Sequence, residues 1–401
     1  MKEIKQNYSN SVLVSVGAGT NQLPFIKAAK KRGIKVASFG KGKNNSEAIE
    51  LSDYFEEIDT SNFDEAINWL NALDENIIAA GSYAGGRAIK TLLEITNLYN
   101  LPTKVPNDLI IGMEKEKQQQ LYLKFGLSQI KTYTINDINK NLELLNDETL
   151  YVLKPSIGRG SADVLFIEGK NLKNKILNNE VQASNVVQEV SFGQEYRVLL
   201  IVQNSEIKLL APLKRENFKN TFFLGKLYFC KDSLNYKRIV EHANKLIKEM
   251  NIVNSIIKYD IIVEENKINL IEMDIGVGGG IYFKTFISKI FNIDLTELYL
   301  DLICGFPIDV YLPKNTNLMM TYVFNETNKK ITYDVEECRN ELSLKFGHVE
   351  LLVNQLRPEN KNSFESNADF IFTVIHENDE SDGNQWIIND FVNEHLFKVE
   401  K

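Results

Sequence analysis

Cysteine and histidine are scarce in this chain of 401 residues, with three cysteines (Cys230, Cys304, Cys338) and four scattered histidines (His242, His348, His376, His395). No CxxC or His-paired spacing is present, so neither a disulfide framework nor a zinc site is suggested, and free thiols fit a reducing cytoplasm. The histidines read as surface or core residues rather than as a triad. Excess positive charge is missing too. A formal net charge of -8 at pH 7 favours solubility and argues against a sequence-independent nucleic-acid binder, which needs a basic face to displace counterions. Long apolar runs are also lacking: the first, Val12 to Val16, is far too short for a signal h-region or a membrane span. No internal repeat of useful period is visible.

The composition itself, 43% hydrophobic and 25% charged, is that of a folded chain of two to four structural units. Short β-branched runs (Val12–Val16, Ile34–Phe39, Tyr54–Ile58, Ile77–Ala80) alternate with helical segments (Pro24–Lys31, Phe63–Leu73). This alternation predicts a parallel sheet covered on both faces over residues 1–105. A helix from Asn107 to Phe125, stopped by Gly126, opens a second unit. It continues with strands Lys131–Ile135 and Leu150–Lys154, a hairpin return at Val164–Ile167, strands at Val186–Val190, Glu195–Val202 and Ile207–Leu213, a helix Asn235–Met250, and a strand pair Ile256–Val263 and Lys267–Met273. This α+β unit is placed at 106–312, divided into 106–187 and 188–312. A small C-terminal α+β unit spans 313–401, with strands Met320–Phe324 and Asp369–His376 and a closing helix near Gln385–Leu396.

Three features carry chemistry. The first is Lys154-Pro155-Ser156-Ile157-Gly158-Arg159-Gly160-Ser161, a lysine at a strand end followed by a turn with two glycines and a serine. Such a turn lets backbone N–H groups approach a polyphosphate while the lysine adds a cation. The Gly-Lys-Ser/Thr order of a Walker A loop is absent, and a plain hairpin with a buried-stem lysine explains the segment equally well. The second is Gln188-Glu189-Val190-Ser191-Phe192-Gly193-Gln194-Glu195-Tyr196-Arg197, a strand, a bend and a strand. Its edge suits the hydrogen-bonding edge of adenine, and Glu195 could reach ribose hydroxyls; charged residues on an exposed strand are the competing account. The third is Lys258-Tyr259-Asp260 on one strand and Glu272-Met273-Asp274 on the next, followed by Gly276-Val277-Gly278-Gly279-Gly280. Glu272 and Asp274 point to one face, and a hairpin brings Asp260 beside them. Three converging carboxylates repel unless a divalent cation holds them, whereas a solvated hairpin would need no such partner.

The order of a lysine-bearing helix, K-P with a glycine turn, Q-E with G-x-E, then D followed by E-x-D resembles the ATP-grasp superfamily. Biotin carboxylase, carbamoyl-phosphate synthase and D-alanine:D-alanine ligase are among its members. The resemblance covers residues 1–312 and implies an N-terminal pre-ATP-grasp domain followed by two subdomains that clasp ATP. Position by position, it implies that Lys115 and Lys154 contact nucleotide phosphate, with Lys117 the close rival of Lys115. Gly158, Gly160 and Ser161 would lie in the loop that covers the phosphates, Gln188, Glu189 and Ser191 on the adenine hinge, and Glu195 at the ribose. Asp260, Glu272 and Asp274 would bind Mg2+, with Mn2+ an admissible substitute.

Two departures stand out. Asp274 replaces the asparagine of the more usual E-x-N, and it remains an oxygen ligand. Gly276 stands where many relatives have an arginine that holds the reacting carboxylate or acyl phosphate. Arg159, Arg197 and Arg215 could supply that cation, Arg197 being preferred, so Arg197 and Lys154 are the expected catalytic residues. Arg87, Gly278 and Gly279 are the weaker substrate-binding candidates. Gly17-Ala18-Gly19 lacks the third glycine of GxGxxG and fits an acceptor-side turn better than a dinucleotide site. The implied activity is ligation of a small carboxylate to an amine in the cytoplasm, through an acyl phosphate and with release of ADP and phosphate. No nucleic acid or membrane is involved, and a homodimer is left open. The alternatives are a kinase or phosphotransferase on the same clasp, or a nucleotide-binding module without catalysis.

Overall fold

The computed structural model describes residues 11–41, 46–83, 87–103, 114–156, 164–276, 280–354, 363–367, 369–377 and 386–400. The chain begins with four parallel strands, β1 (Ser11–Val16), β2 (Lys35–Phe39), β3 (Tyr54–Glu56) and β4 (Asn76–Gly81), in the order β3-β2-β1-β4. Val12, Leu13, Val14 and Val16 are all fully buried, which explains a continuous rather than alternating apolar run. Helices α1 (Leu23–Lys31), α2 (Ser46–Leu51), α3 (Phe63–Ala72) and α4 (Arg87–Leu98) connect and cover them. Asn62 caps α3 by accepting from the backbone N–H of Glu65.

Helix α5 (Lys115–Lys124) then leads into an antiparallel sheet of β5 (Thr132–Thr134), β6 (Leu150–Pro155), β7 (Leu165–Glu168) and β8 (Asn185–Glu189), ordered β5-β8-β6-β7. The stretch expected to be helical upstream of Glu114 lies outside the described residues. The strand expected from Lys131 to Ile135 is shorter than read. Thr134 and Asp137 form a capping box, so Ile135 opens α6 (Ile135–Lys140) instead. The expected return over Val164–Ile167 does pair with β6, in the register Leu150 opposite Glu168 and Leu153 opposite Leu165. Helix α7 (Gly169–Leu177) packs Leu172 and Ile176 beneath this sheet.

The rest is organised by one long antiparallel sheet. Its strands are β9 (Gln194–Gln203), β10 (Glu206–Asn217), β11 (Leu224–Phe229), β12 (Ser255–Val263), β13 (Ile268–Ile275) and β14 (Leu318–Val323). Beyond the two-residue β15 (Ile331–Thr332) come β16 (Glu350–Val353) and β17 (Phe372–Glu377), and β18 (Lys398–Val399) pairs with β15. The order is β13-β12-β9-β10-β11-β14-β17-β16. Residue 313 therefore does not interrupt the sheet, because β14 pairs with β11. Helices α8 (Ser233–Glu249), α9 (Gly280–Phe291), α10 (Leu295–Cys304), α11 (Val335–Phe346) and α12 (Ile387–Phe391) cover it. Neither β11 nor α9 and α10 were anticipated from the sequence.

Alternation along the strands decides where the sheet is open. Tyr196, Val198, Leu200, Tyr259 and Ile261 join Ile239, Ala243 and Leu246 of α8 in one core. On the opposite face Leu199, Ile201 and Leu213 join Phe283, Phe286 and Ile287 of α9. Toward Gln194 that second face turns from apolar to charged, with Glu195, Arg197, Arg215, Lys258, Asp260, Glu272 and Asp274.

Candidate active site

The register across three strands assembles the charged face. Arg197 of β9 lies opposite Asp260 of β12, and Asp260 lies opposite Glu272 of β13. Lys258 lies opposite Asp274. Directly opposed residues of an antiparallel pair share a face, so their side chains meet. Arg197 donates from Nε and Nη2 to the two carboxylate oxygens of Asp260 at 2.9 and 2.8 Å. Burial opposes both charges, but their mutual attraction wins, raising the guanidinium pKa and lowering that of the carboxyl. Lys258 Nζ sits 2.9 Å from Asp274 Oδ2. Arg215 donates to Glu195, and its other Nη donates to the carbonyl of Phe222 at 2.9 Å.

Four carboxylates therefore share the face, yet three of them are engaged by cations. Glu272 is the exception: among the described residues its carboxylate accepts no hydrogen bond and joins no ion pair. Burial first, and Asp274 second, raise its pKa, while Lys115 and Lys154 pull it back down. Among the described residues no group of three His, Cys, Asp or Glu is gathered closely enough to hold a metal ion alone. Mg2+ does not require such a cage, since it is held by one or two carboxylates together with phosphate oxygens. An uncommitted Glu272 beside Asp274 fits that kind of ligation.

The facing cations come from α5 and β6. Gln118 and Gln119 of α5 donate to the carbonyls of Met273 at 2.9 Å and Ile271 at 2.7 Å, fastening the helix to β13. This places Lys115, the first residue of α5, where its field reaches both Glu272 and Lys154. Lys117 instead forms an ion pair with Glu114 at 2.8 Å. Lys154, near the end of β6, is 9% exposed and has no hydrogen bond or ion pair among the described residues. Burial lowers its pKa to about 8, and Lys115 adds to the shift, against the pull of Glu272 and Glu195.

At the expected hinge, side chains hold the bend itself. Gln188 donates to Thr132 Oγ1 at 2.9 Å, Glu189 pairs with Lys131 at 3.6 Å, and Ser191 donates to Glu264 at 2.5 Å. Asn269 donates to Ser191 at 3.0 Å. Gly158, Gly160, Ser161, Gly278 and Gly279 lie outside the described residues, as do Arg159 and the side chain of Arg87.

Gly276 adopts φ +106°, and a Cβ there would lie 3.5 Å from Ile89 and 4.0 Å from the carbonyl of Ser82. An arginine at this position would be strained in this backbone conformation, so the glycine noted in the sequence fits the fold. The end of β13 thus abuts the N-terminal sheet. There Ser82 donates to the carbonyl of Val16 at 2.6 Å, and the backbone N–H of Tyr83 donates to Gln22 at 2.8 Å, joining the Gly17 turn to the end of β4. One residue at this seam was not read from the sequence. Lys284 of α9 is 8% exposed, with its Nζ 3.4 Å from the centroid of the Tyr83 ring. The signal for it was a lone lysine among apolar helical neighbours, Ile281-Tyr282-Phe283-Lys284-Thr285-Phe286.

Residues 127–275 match the ATP-grasp domain family. No curated protein matches the chain in sequence. Solved structures align over nearly its whole length. The L-amino acid ligase of Bacillus licheniformis is similar at 14% identity and TM-score 0.74, covering 99% of this chain and 100% of that one. N5-carboxyaminoimidazole synthetase of Staphylococcus aureus, solved with ADP, is similar at 14% identity and TM-score 0.69, covering 97% and 98%. Phosphoribosylglycinamide synthetase of Anaerococcus prevotii is similar at 17% identity and TM-score 0.66, covering 98% and 99%. Residues 127–275 are thus similar to the ATP-grasp domain, and the fold of the chain is the one these solved structures share.

Proposed function

We propose that the protein is an ATP-dependent ligase that phosphorylates a substrate carboxylate and couples the acyl phosphate to an amine, releasing ADP and phosphate. The observation that carries this reading is Lys154, a buried ammonium with no ion pair or side-chain hydrogen bond among the described residues, within the field of Glu272, the carboxylate of this charged face that no cation engages. Burying an unpaired charge costs several kcal/mol, roughly, and such a group is retained where an anionic ligand completes it. A triphosphate is that ligand in an ATP-grasp domain.

In this scheme Lys115 and Lys154 position the phosphates, and the segment of Gly158, Gly160 and Ser161 closes over them. Gln188, Glu189 and Ser191 hold the hinge against which adenine lies. Glu195 takes the ribose hydroxyls by exchanging its contact with Arg215. Arg197 keeps Asp260 charged and fixed beside Glu272. Mg2+, held by Glu272 and Asp274 with Asp260 behind them, would supply charge neutralisation at the β- and γ-phosphates. A carboxylate oxygen attacks the γ-phosphorus, the bond to the bridging oxygen breaks, and ADP departs. The amine then attacks the acyl carbon, phosphate leaves, and the amine gives up a proton. Positioning and charge stabilisation suffice for such a transfer, in keeping with the lack of a nucleophilic serine or cysteine constellation. The name of the Bacillus licheniformis protein, an L-amino acid ligase, agrees with the reading.

The test is product analysis with Mg-ATP and a panel of amino acids and small carboxylates, with and without amines. ADP and phosphate are expected with the correct acid, and an amide when the amine is added. Release of AMP and pyrophosphate would overturn the scheme. A stable phosphorylated product that no amine consumes would assign the chain to phosphotransfer instead.

A further inference from the structure

Lys284 is a second buried ammonium, and it stands apart from the nucleotide. Its side chain is 8% exposed, and among the described residues it has neither an ion pair nor a hydrogen bond. Nζ lies over the face of Tyr83, 3.4 Å from the ring centroid. Burial alone lowers its pKa to about 8, with no acidic side chain pulling the other way. Tyr83 in turn stacks on Tyr299 at 5.4 Å and contacts Phe25 at 5.8 Å, so the ring that backs Lys284 is itself held in an aromatic cluster. The position is functional ground: Tyr83 follows Ser82, whose carbonyl faces Gly276 at the end of the strand that carries Glu272 and Asp274.

We propose that Lys284, backed by Tyr83, is the receptor for the carboxylate of an amino-acid substrate at the seam between the N-terminal sheet and α9. It thereby supplies the acceptor-side cation that Gly276 cannot. The inference rests on the ligase reading and deepens it. An amino-acid carboxylate is chosen over a phosphate ester on charge and shape. One ammonium backed by an aromatic ring matches a single negative charge on a body with an apolar part, whereas phosphate recognition favours several donors or an arginine fork. The lysine also has a structural alternative, in which its stem fills the seam and its charge is only tolerated.

The experiment separates these. Wild type, Lys284→Met, Lys284→Gln and Lys284→Arg are compared in two readouts: thermal stabilisation by each of the twenty L-amino acids and its primary amide, and ADP release. Wild type should be stabilised by at least one amino acid and not by its amide. The Met and Gln variants should lose that stabilisation and raise KM for the acid about 10- to 100-fold, with KM for ATP unchanged. Lys284→Arg should recover part of the loss. Without ligand, Lys284→Met should melt no lower than wild type, because an uncompensated buried charge has been removed. Equal stabilisation of wild type and Lys284→Met overturns the proposal. So does ADP release with acids other than amino acids and no amino-acid stabilisation, which leaves the ligase reading intact. Stabilisation that depends on Lys284, without ADP release for any acid, refutes the ligase reading and keeps the subsite.

Discussion

The two sides of the cleft treat charge in opposite ways. On the proposed nucleotide side Arg197 meets Asp260, Arg215 meets Glu195 and Lys258 meets Asp274, leaving Lys154 and Glu272 as a small imbalance within a dense lattice. On the proposed acceptor side Lys284 stands against the ring of Tyr83, and no acid among the described residues offsets its burial. The difference teaches what each ligand must bring. A lattice of opposed pairs holds its geometry before the ligand arrives, which suits an invariant ligand such as ATP. A single cation in an apolar wall leaves the substrate to complete the charge, and so can discriminate among substrates.

The strongest way to break the comparison is to unbalance the lattice. Arg197→Leu leaves Asp260 as a partly buried carboxylate without its principal cation, and removing one partner of a buried pair costs about 3–5 kcal/mol. That loss should appear as a lowered denaturation midpoint with an unchanged slope. The double variant Arg197→Leu/Asp260→Leu should recover most of it, at the expense of activity. A single variant as stable as wild type would show that the pair is solvated and that the lattice is not preformed.

Next in size is Lys154→Met. If Lys154 is the phosphate cation, kcat should fall by roughly 10²- to 10³-fold, the loss typical of one preorganised electrostatic contact. Stability should hold or rise, because the unpaired ammonium is a cost in the free protein. A collapse of stability with activity kept in the folded fraction would make Lys154 a structural residue of β6.

How far this contrast could be seen in the sequence depended on range. Glu272 and Asp274 are two apart on one strand, and Asp260 lies on the adjoining hairpin strand, so a period of two sufficed to put them on one face. The cationic partner of Asp260 depended on the register of β9 against β12, which joins residues 63 positions apart, Arg197 with Asp260, and no local pattern encodes that pairing. The same holds for the placement of β14 beside β11, which carries the sheet beyond residue 313. Gly276 was visible as a departure, but the positive φ it adopts beside Ser82 and Ile89 belongs to the packed molecule. Lys284 was overlooked because a lysine within an apolar helix ordinarily extends its stem over the core to reach solvent, whereas here Tyr83 stops it short.

The finest test uses protons, since Lys154 and Lys284 share a pKa of about 8 for the same reason and differ in their ligands. An ordinary lysine titrates at 10.5, so in the free folded protein each is deprotonated earlier than in the unfolded chain. Between about 8 and 10.5 the unfolded state binds more protons, and each lysine makes stability rise with pH across that window. Below about 8 the full cost of the buried charge is present. If nucleotide phosphates are held by the ammonium form of Lys154, as proposed, binding above this pKa takes up a proton. The Kd for Mg-ADP should therefore be level below pH 8 and weaken above it by at most about tenfold per pH unit. Calorimetry in buffers of different ionisation enthalpy reads both the Kd and the proton uptake. Lys154→Arg should flatten the profile, while Lys284→Met should leave it unchanged, because that lysine serves the other side of the cleft. A wild-type Kd that stays level to pH 9.5, or a slope abolished by Lys284→Met, would mean that the two cations are not divided between the two ligands as the fold divides them.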